Sequence, residues 1–264
     1  MRRAAAVLLG AVTALTGGEG GDSTSTRILS DTLTVYASVP LRGDRMDEGR
    51  AFLRGAKLAL DEAGGRVGEL DIGLVALDDT SPKTGAPDPE RAAQNARLAA
   101  ENPSTIAYLG ELDSATTAAS LPITNEIGVL QVTAGGASAL DSAQLFPSGV
   151  RTLARLVGPA EREAAALAAW VAEEARSASI VQDGSPDGLG RGTELERALQ
   201  AAGVEVVEVV RDTGPGEDGE AVVYAGTDVA AAARILGSAR GRVLFATSGI
   251  APAALASELP GATV

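Results

Sequence analysis

The order of apolar runs along the chain constrains the fold more than any single motif. Short runs rich in β-branched residues alternate with segments of helical periodicity, first over residues 33–133 and again over residues 164–246. This alternation is typical of βαβ units that build a parallel sheet. The sequence therefore predicts an α/β fold in which a βαβα lobe occurs twice.

The predicted elements of the first lobe cover about 110 residues. Its strands are 33–39, 70–77, 106–109 and 129–133, and its helices are 47–63, 88–100 and 114–126. In the first helix the spacing of five apolar residues predicts one buried stripe; they are Phe52, Ala56, Ala59, Leu60 and Ala63.

A connector at about 141–156 precedes the second lobe. There the predicted strands are 178–182, 204–210, 221–224 and 243–246, and the helices are 164–175, 191–202 and 228–236. We therefore divide the chain into residues 1–27, a first lobe at 28–143 and a second lobe at 144–264, with a hinge return near 246–250.

The first residues are typical of a secretory signal. Arg2 and Arg3 precede an apolar run at residues 4–15, which is too short for the roughly 20 residues that span a bilayer. Residues 15–18 resemble the lipoprotein cleavage motif, but Gly18 stands where that motif has its lipid-bearing Cys. We expect an exported protein, at the cell surface, in the periplasm or outside the cell.

Composition argues against several classes of function. The 22 Lys and Arg residues are outnumbered by 35 Asp and Glu residues, and the net charge of −13 disfavours a nucleic-acid partner. The chain has no His and no Cys, which removes imidazole bases, thiol nucleophiles and the usual zinc ligands. We expect no enzyme activity, no cofactor and no metal, although carboxylate catalysis and oxygen-ligand metal sites are compatible with the composition.

Ligands of open parallel sheets bind outside the carboxyl ends of the strands. In this region, the segment 110–117 offers hydroxyls and backbone amides at a helix start, suited to an anionic group. Simple capping by Asp113 or Ser114 is the alternative. The segment 133–138 could likewise expose its backbone to a ligand or merely turn the chain.

Two further segments suggest a cofactor or metal site. The glycine-rich segment 188–192 follows a strand and resembles a dinucleotide-binding fingerprint. Thr193 replaces the last glycine of that fingerprint, so the segment does not predict a dinucleotide site. Asp78 and Asp79 at a strand end could hold a metal, although solvated acidic residues are the commoner explanation at such a position.

The order and spacing of several motifs resemble type I periplasmic binding proteins, specifically the leucine/isoleucine/valine-binding branch that serves ABC importers. The motifs are Gly49-x5-Gly55-Ala56-x-Leu58-Ala59-Leu60, Ala63-Gly64-Gly65-x2-Gly68, Asp78-Asp79, Leu109-Gly110-x3-Ser114-x2-Thr117, Gly128-Val129-Leu130-x2-Thr133 and, more loosely, Tyr224-Ala225-Gly226-Thr227. The resemblance implies two Rossmann-like lobes with parallel sheets and a ligand in the cleft between them.

The resemblance also implies which residues line the cleft. Ser114, with Asp113 beside it, matches the hydroxyl that holds a ligand carboxylate. Gly135, Gly136 and either Ala137 or Ser138 match the loop that holds the rest of an α-amino acid group. The remaining matches replace cleft aromatics or the acidic partner of a ligand ammonium; they are Glu48, Leu189, Thr227 and Ser248.

Two departures from the family pattern bear on the ligand. Ser248 replaces a carboxylate, which removes the ion pair that selects an amino group unless Asp113 or Glu48 supplies the charge. Family members also continue for several strands and helices, so by this resemblance the chain is short at its C-terminus.

We expect a monomer that binds a small polar metabolite, such as an amino acid or amide, and delivers it to an ABC permease. The alternatives are a ligand sensor or degenerate binding module that acts through protein contacts, and an acid–base enzyme using Asp78, Asp79 or Asp113.

Overall fold

The computed structural model describes residues 31–136, 138–239, 241–249 and 255. Within them the chain forms two sheets of mainly parallel strands flanked by helices, which confirms the predicted α/β class. The predicted signal and linker, Ala137 and residue 250 of the predicted hinge return lie outside the described residues. Across this described part of the chain, no helix is both long and apolar enough to cross a membrane.

The first sheet has the strand order β2-β3-β1-β4-β5-β6. β2 is antiparallel to β3, and the other pairs are parallel. The elements of this lobe are β1 (Thr32–Val39), α1 (Met46–Glu62), β2 (Arg66–Val67), β3 (Leu70–Asp78), α2 (Pro89–Glu101), β4 (Thr105–Leu109), α3 (Ser114–Glu126), β5 (Leu130–Thr133) and β6 (Leu153–Arg155).

Strand β6 lies in the segment that the sequence suggests to be a connector. It pairs with β5 through Gln131 and Leu153, beyond two short 3₁₀ turns at Ser138–Asp141 and Ala143–Leu145. Three residues are too few to show strand periodicity, so β6 carries no sequence signal. The first sheet thus extends past residue 143, and the division of the chain at that point stays a prediction.

The second sheet has the order β10-β9-β7-β8, and all of its pairs are parallel. Its elements are α4 (Ala160–Glu174), β7 (Ser177–Gln182), α5 (Pro186–Ala201), β8 (Glu205–Arg211), β9 (Ala221–Ala225), α6 (Val229–Ser238) and β10 (Val243–Ala246). Helices α4 and α5 pack on one face through Leu167, Val171 and Leu195, and α6 packs on the other through Ile235 and Leu236. All of β9 is buried, as expected of a central parallel strand covered on both faces.

Helix α5 begins earlier than the sequence predicts. Ser185 caps it by accepting a hydrogen bond from the Gly188 N–H at 3.0 Å, and Pro186 occupies the first helical position. A Ser-Pro pair is a helix-start signal, but the glycines of 188–192 suggest a loop. Because the helix begins at Pro186 and not near residue 191, Asp187 lies in the first turn of α5.

Helix α1 is less buried than its apolar stripe predicts. Phe52, Ala56 and Leu60 are half-buried, whereas Ala59 and Ala63 are exposed. The helix packs against β1 and β3 at one side of the sheet, so only part of its apolar surface meets the sheet. The expectation of a fully buried stripe was therefore wrong.

Candidate functional site

Sheet topology predicts a ligand site where the strand order of each sheet reverses. In the first sheet β1 has β3 on one side and β4 on the other, and in the second sheet β7 has β8 on one side and β9 on the other. Loops that follow strands on opposite sides of such a point diverge and leave a crevice at the carboxyl edge. The relevant loops are 40–45 and 110–113 in the first lobe, and 183–185 and 226–228 in the second.

Asp113 caps helix α3. One carboxylate oxygen, Oδ1, accepts hydrogen bonds from the N–H groups of Ala115 at 3.1 Å and Thr116 at 3.0 Å. The other, Oδ2, is buried without a hydrogen-bond partner, and the nearest cationic atom, Arg45 Nη1, is 3.7 Å away. Asp113 therefore fulfils the capping alternative with one oxygen and leaves the second available for an interaction.

Asp187 of the second lobe faces the start of α3. Burial raises the pKa of Asp187, and the Asp113 carboxylate raises it further, whereas Arg191 and hydrogen bonding from the hydroxyl and backbone N–H of Ser114 favour its charged form. A protein carboxylate thus lies at the position that the sequence assigns to a ligand carboxylate. Asp187 was missed because its partner Ser114 is distant in the chain, and only the Ser-Pro helix start could have drawn attention to it.

The loop after β5 packs tightly against the same helix start. A side chain on Gly135 would lie 3.1 Å from Ser114 Cα and 3.1 Å from Leu140 Cδ1, which explains the glycine. Gly136 is buried, and its carbonyl accepts a hydrogen bond from the Ala160 N–H at 2.9 Å. The loop therefore connects α3 of the first lobe with the first residue of α4.

Two adjoining cavities of about 200 and 270 Å³ lie between this loop and the second lobe. Both are lined by Gly136, Ala160 and Arg191; Asp187 lines the smaller, and Ser248 the larger. Arg191 pairs with Glu163 at 2.5 Å, and Glu163 also accepts a hydrogen bond from the Ser248 N–H. A carboxylate is thus present beside Ser248, supplied by helix α4.

Other predicted ligand residues stand apart from these cavities. Glu48 is exposed and pairs with Arg45 at 2.7 Å. Thr227 is exposed and its N–H donates to Asp183 at 2.6 Å, while Leu189 is a half-buried residue of α5. Among the described residues, these three line neither cavity. Asp113, Ser114 and Gly135 do not line them either, although they pack beside Gly136, which lines both. The backbone of Ser138 begins the first 3₁₀ turn.

Two acidic side chains are buried beneath the site. Asp79, which the sequence suggests to be solvated, is fully buried, and neither of its carboxylate oxygens has a hydrogen-bond partner. Burial and the nearby Asp113 raise its pKa to about 7. Burial likewise raises the pKa of Glu111 to about 8, although Ser120 at 2.6 Å and Tyr108 at 2.8 Å donate hydrogen bonds to it.

Asp78 differs sharply from its neighbour. Its carboxylate pairs with Arg42 at 2.9 Å and accepts a hydrogen bond from the Thr80 hydroxyl at 2.7 Å. Within the described ranges, no group of three or more acidic side chains is arranged to hold a metal ion.

Comparison with known proteins agrees with this architecture. A family model described as periplasmic binding protein matches residues 32–255. No curated protein sequence matches the chain.

Solved structures share the fold at low sequence identity. A leucine binding protein from Thermotoga maritima has a TM-score of 0.69 at 20% identity, covering 87% of this chain and 67% of its own. A substrate-binding periplasmic protein from Ralstonia solanacearum has a TM-score of 0.68 at 22% identity, covering 85% and 66%. A solute binding protein of an ABC transporter from Rhodopseudomonas palustris, in complex with 3,4-dihydroxy benzoic acid, has a TM-score of 0.67 at 16% identity, covering 82% and 62%. The chain thus spans about 62–67% of the length of these three structures.

Proposed function

The chain belongs to the periplasmic binding protein family, and from that premise we propose that it is an exported solute-binding protein of an ABC importer. It binds a small polar metabolite, such as an amino acid or amide, between its lobes and performs no chemistry on it. Closure around the ligand presents both lobes to a membrane permease. In this proposal the protein acts as a monomer outside the cytoplasm.

The observation that supports this proposal most directly is the pair of cavities between the lobes. Their walls combine Gly136 from the first lobe with Arg191 and Asp187 from α5. Volumes of about 200 and 270 Å³ lie below the roughly 300–1,000 Å³ of pockets for drug-sized molecules. The size favours a compact metabolite.

We assign ligand contacts first to Gly136 and Ser248, which line the cavities. Next come Asp113, Ser114 and Gly135, which pack together beside Gly136. Ala137 and Ser138 belong to the same loop and remain predicted contacts. Glu48, Leu189 and Thr227 would reach a ligand only if the lobes or side chains rearrange.

A second candidate function is sensing, or a degenerate module that acts through protein contacts. One specific feature favours it. The family resemblance implies an acidic residue and two tyrosines in the cleft, and this chain has Ser248, Leu189 and Thr227 at those positions. In that case a ligand would change a protein contact and would not be transported.

Calorimetry and thermal-shift measurements with amino acids, amides, aromatic acids and short peptides test the proposal. A ligand that binds only the folded protein raises its melting temperature, and we expect saturable binding with no conversion of the ligand. Well-folded protein that binds no compound in any of these classes would refute it. If the protein binds a ligand but does not increase uptake of that ligand through a co-expressed permease, the result would favour sensing.

A further inference from the structure

Two carboxylates from different lobes meet at the start of α3. Asp113 is 9% exposed, and its Oδ2 atom is buried without a hydrogen-bond partner. Asp187, in the first turn of α5, lines the smaller cavity with Gly136, and α5 packs against α3. The Asp113 charge opposes the ionisation of Asp187. Two like charges held close together repel, and the repulsion grows as water is excluded.

The arginines beside this pair are already engaged. Arg45 contacts Glu48 through Nη2 at 2.7 Å and through Nε at 2.9 Å, and remains 3.7 Å from Asp113. Arg191 contacts Glu163 at 2.5 Å. Each guanidinium therefore has a closer carboxylate partner, and the two facing carboxylates retain an excess of negative charge.

We infer that Asp187 determines specificity, so that the cleft selects ligands that carry a cationic nitrogen and lack a free carboxylate. This inference rests on the proposed solute-binding function. The ligand nitrogen donates hydrogen bonds to Asp113 Oδ2 and to Asp187, relieving the repulsion between them. The hydroxyl and N–H of Ser114 hold Asp187 in place and are not free for a ligand anion.

A ligand carboxylate would meet opposition at the same point. It would have to displace Asp187 from Ser114 while remaining close to Asp113. The helix start favours one anion there, and Asp187 already provides that anion. An amino acid amide or a simple amine keeps the cationic nitrogen and avoids the conflict.

The test compares ligands matched in their apolar part. L-Leucinamide, 3-methylbutylamine and L-leucine are titrated by calorimetry into the wild-type protein and into the Asp187→Ser and Asp187→Asn variants. Glu161→Gln is the control, because Glu161 is an exposed acid in the first turn of α4, outside the cavities. Far-UV circular dichroism establishes that each variant is folded.

We expect wild-type protein to bind leucinamide or the amine at least tenfold more tightly than leucine. Loss of a hydrogen bond to a charged group is worth roughly tenfold to hundredfold in affinity. Both Asp187 variants should therefore lose that much amine affinity, whereas Glu161→Gln should not. Asp187→Ser should also gain affinity for leucine, since Ser114 becomes available to its carboxylate.

Wild-type protein that binds leucine as tightly as leucinamide overturns the inference and leaves the solute-binding function intact. The inference is also overturned if a wider panel of compounds yields only ligands with a carboxylate. It is overturned as well if Asp187→Ser keeps the wild-type preference for amines over leucine. Failure of every amine, amide and carboxylate to bind would instead reject the function itself, and the inference with it.

Discussion

The buried Asp79 carboxylate makes the stability of this protein depend on pH. Its pKa is about 7 in the folded chain and about 4 in an unfolded one. Between these values the folded protein holds a proton that the unfolded chain has lost, so raising the pH favours unfolding. The stabilisation is fully present below the unfolded pKa and is lost as the pH rises through about 7.

The size of the effect follows from the shift. A difference of about three pKa units corresponds to at most about 4 kcal/mol. From pH 5.5 to 8.5 only the upper part of that range is crossed, and linkage gives a loss of about 2 kcal/mol. Asp79→Asn removes this titration, so relative to wild type the variant should gain about 2 kcal/mol over the same interval.

Urea unfolding followed by far-UV circular dichroism measures this difference. Fluorescence is a poorer probe, because Trp170 is 66% exposed and its surroundings change little on unfolding. Asp141→Asn is the matched control. Burial alone would raise the pKa of Asp141, but Arg151 and Arg155 bring it below its usual value, so that variant should be destabilised without altering the trend from pH 5.5 to 8.5. Identical pH dependence in wild type and Asp79→Asn would refute the reasoning.

Three further substitutions test packing and hydrogen bonding through the free energy of unfolding. Gly135→Ala should lower the free energy of unfolding by about 1–3 kcal/mol, because the added methyl group meets Ser114 Cα and Leu140 Cδ1 at 3.1 Å. Gly190→Ala should raise the free energy of unfolding by about 0.5–1 kcal/mol in the same urea assay, because alanine favours the helix and the added methyl group in α5 has no atom within 4 Å. Ser120→Ala should cost about 1–3 kcal/mol, because it removes the 2.6 Å hydrogen bond to buried Glu111. A Ser120→Ala protein as stable as wild type at pH 6 would show that water replaces the hydroxyl.

Elements with strong local signals could be predicted from the sequence. Helix α3 begins and ends at the predicted residues, because Asp113 caps it and the glycine at position 128 follows its end. Strand β10 likewise has its predicted bounds, Val243–Ala246. Strand β6 and the start of α5 were missed, since the first depends on pairing with β5 and the second is obscured by glycines.

The candidate site could be predicted only in part, for the same physical reason. Ser114 and Gly136 lie at the carboxyl edge of the first sheet, as parallel-sheet topology predicts, while their contact with a ligand stays a prediction. The approach of Asp187 to Ser114 depends on how the lobes pack, and no local pattern encodes it. Asp79 is similar: a strand-end acid suggests solvation, whereas its environment is determined by the loops and helix that enclose it.

The loop after β5 lines the candidate ligand cavities and also contacts the second lobe. Gly135 packs against the start of α3 with no room for a side chain, so this end of the loop is fixed to the first lobe. One residue later, the Gly136 carbonyl accepts the Ala160 N–H at the start of α4, and both residues line the two cavities. A ligand that contacts Gly136 therefore acts on the connection between α3 and α4 as well as on the cavity wall. Because packed segments of this kind shift between discrete arrangements and do not deform continuously, occupancy of the cavities and the relative position of α3 and α4 should change together.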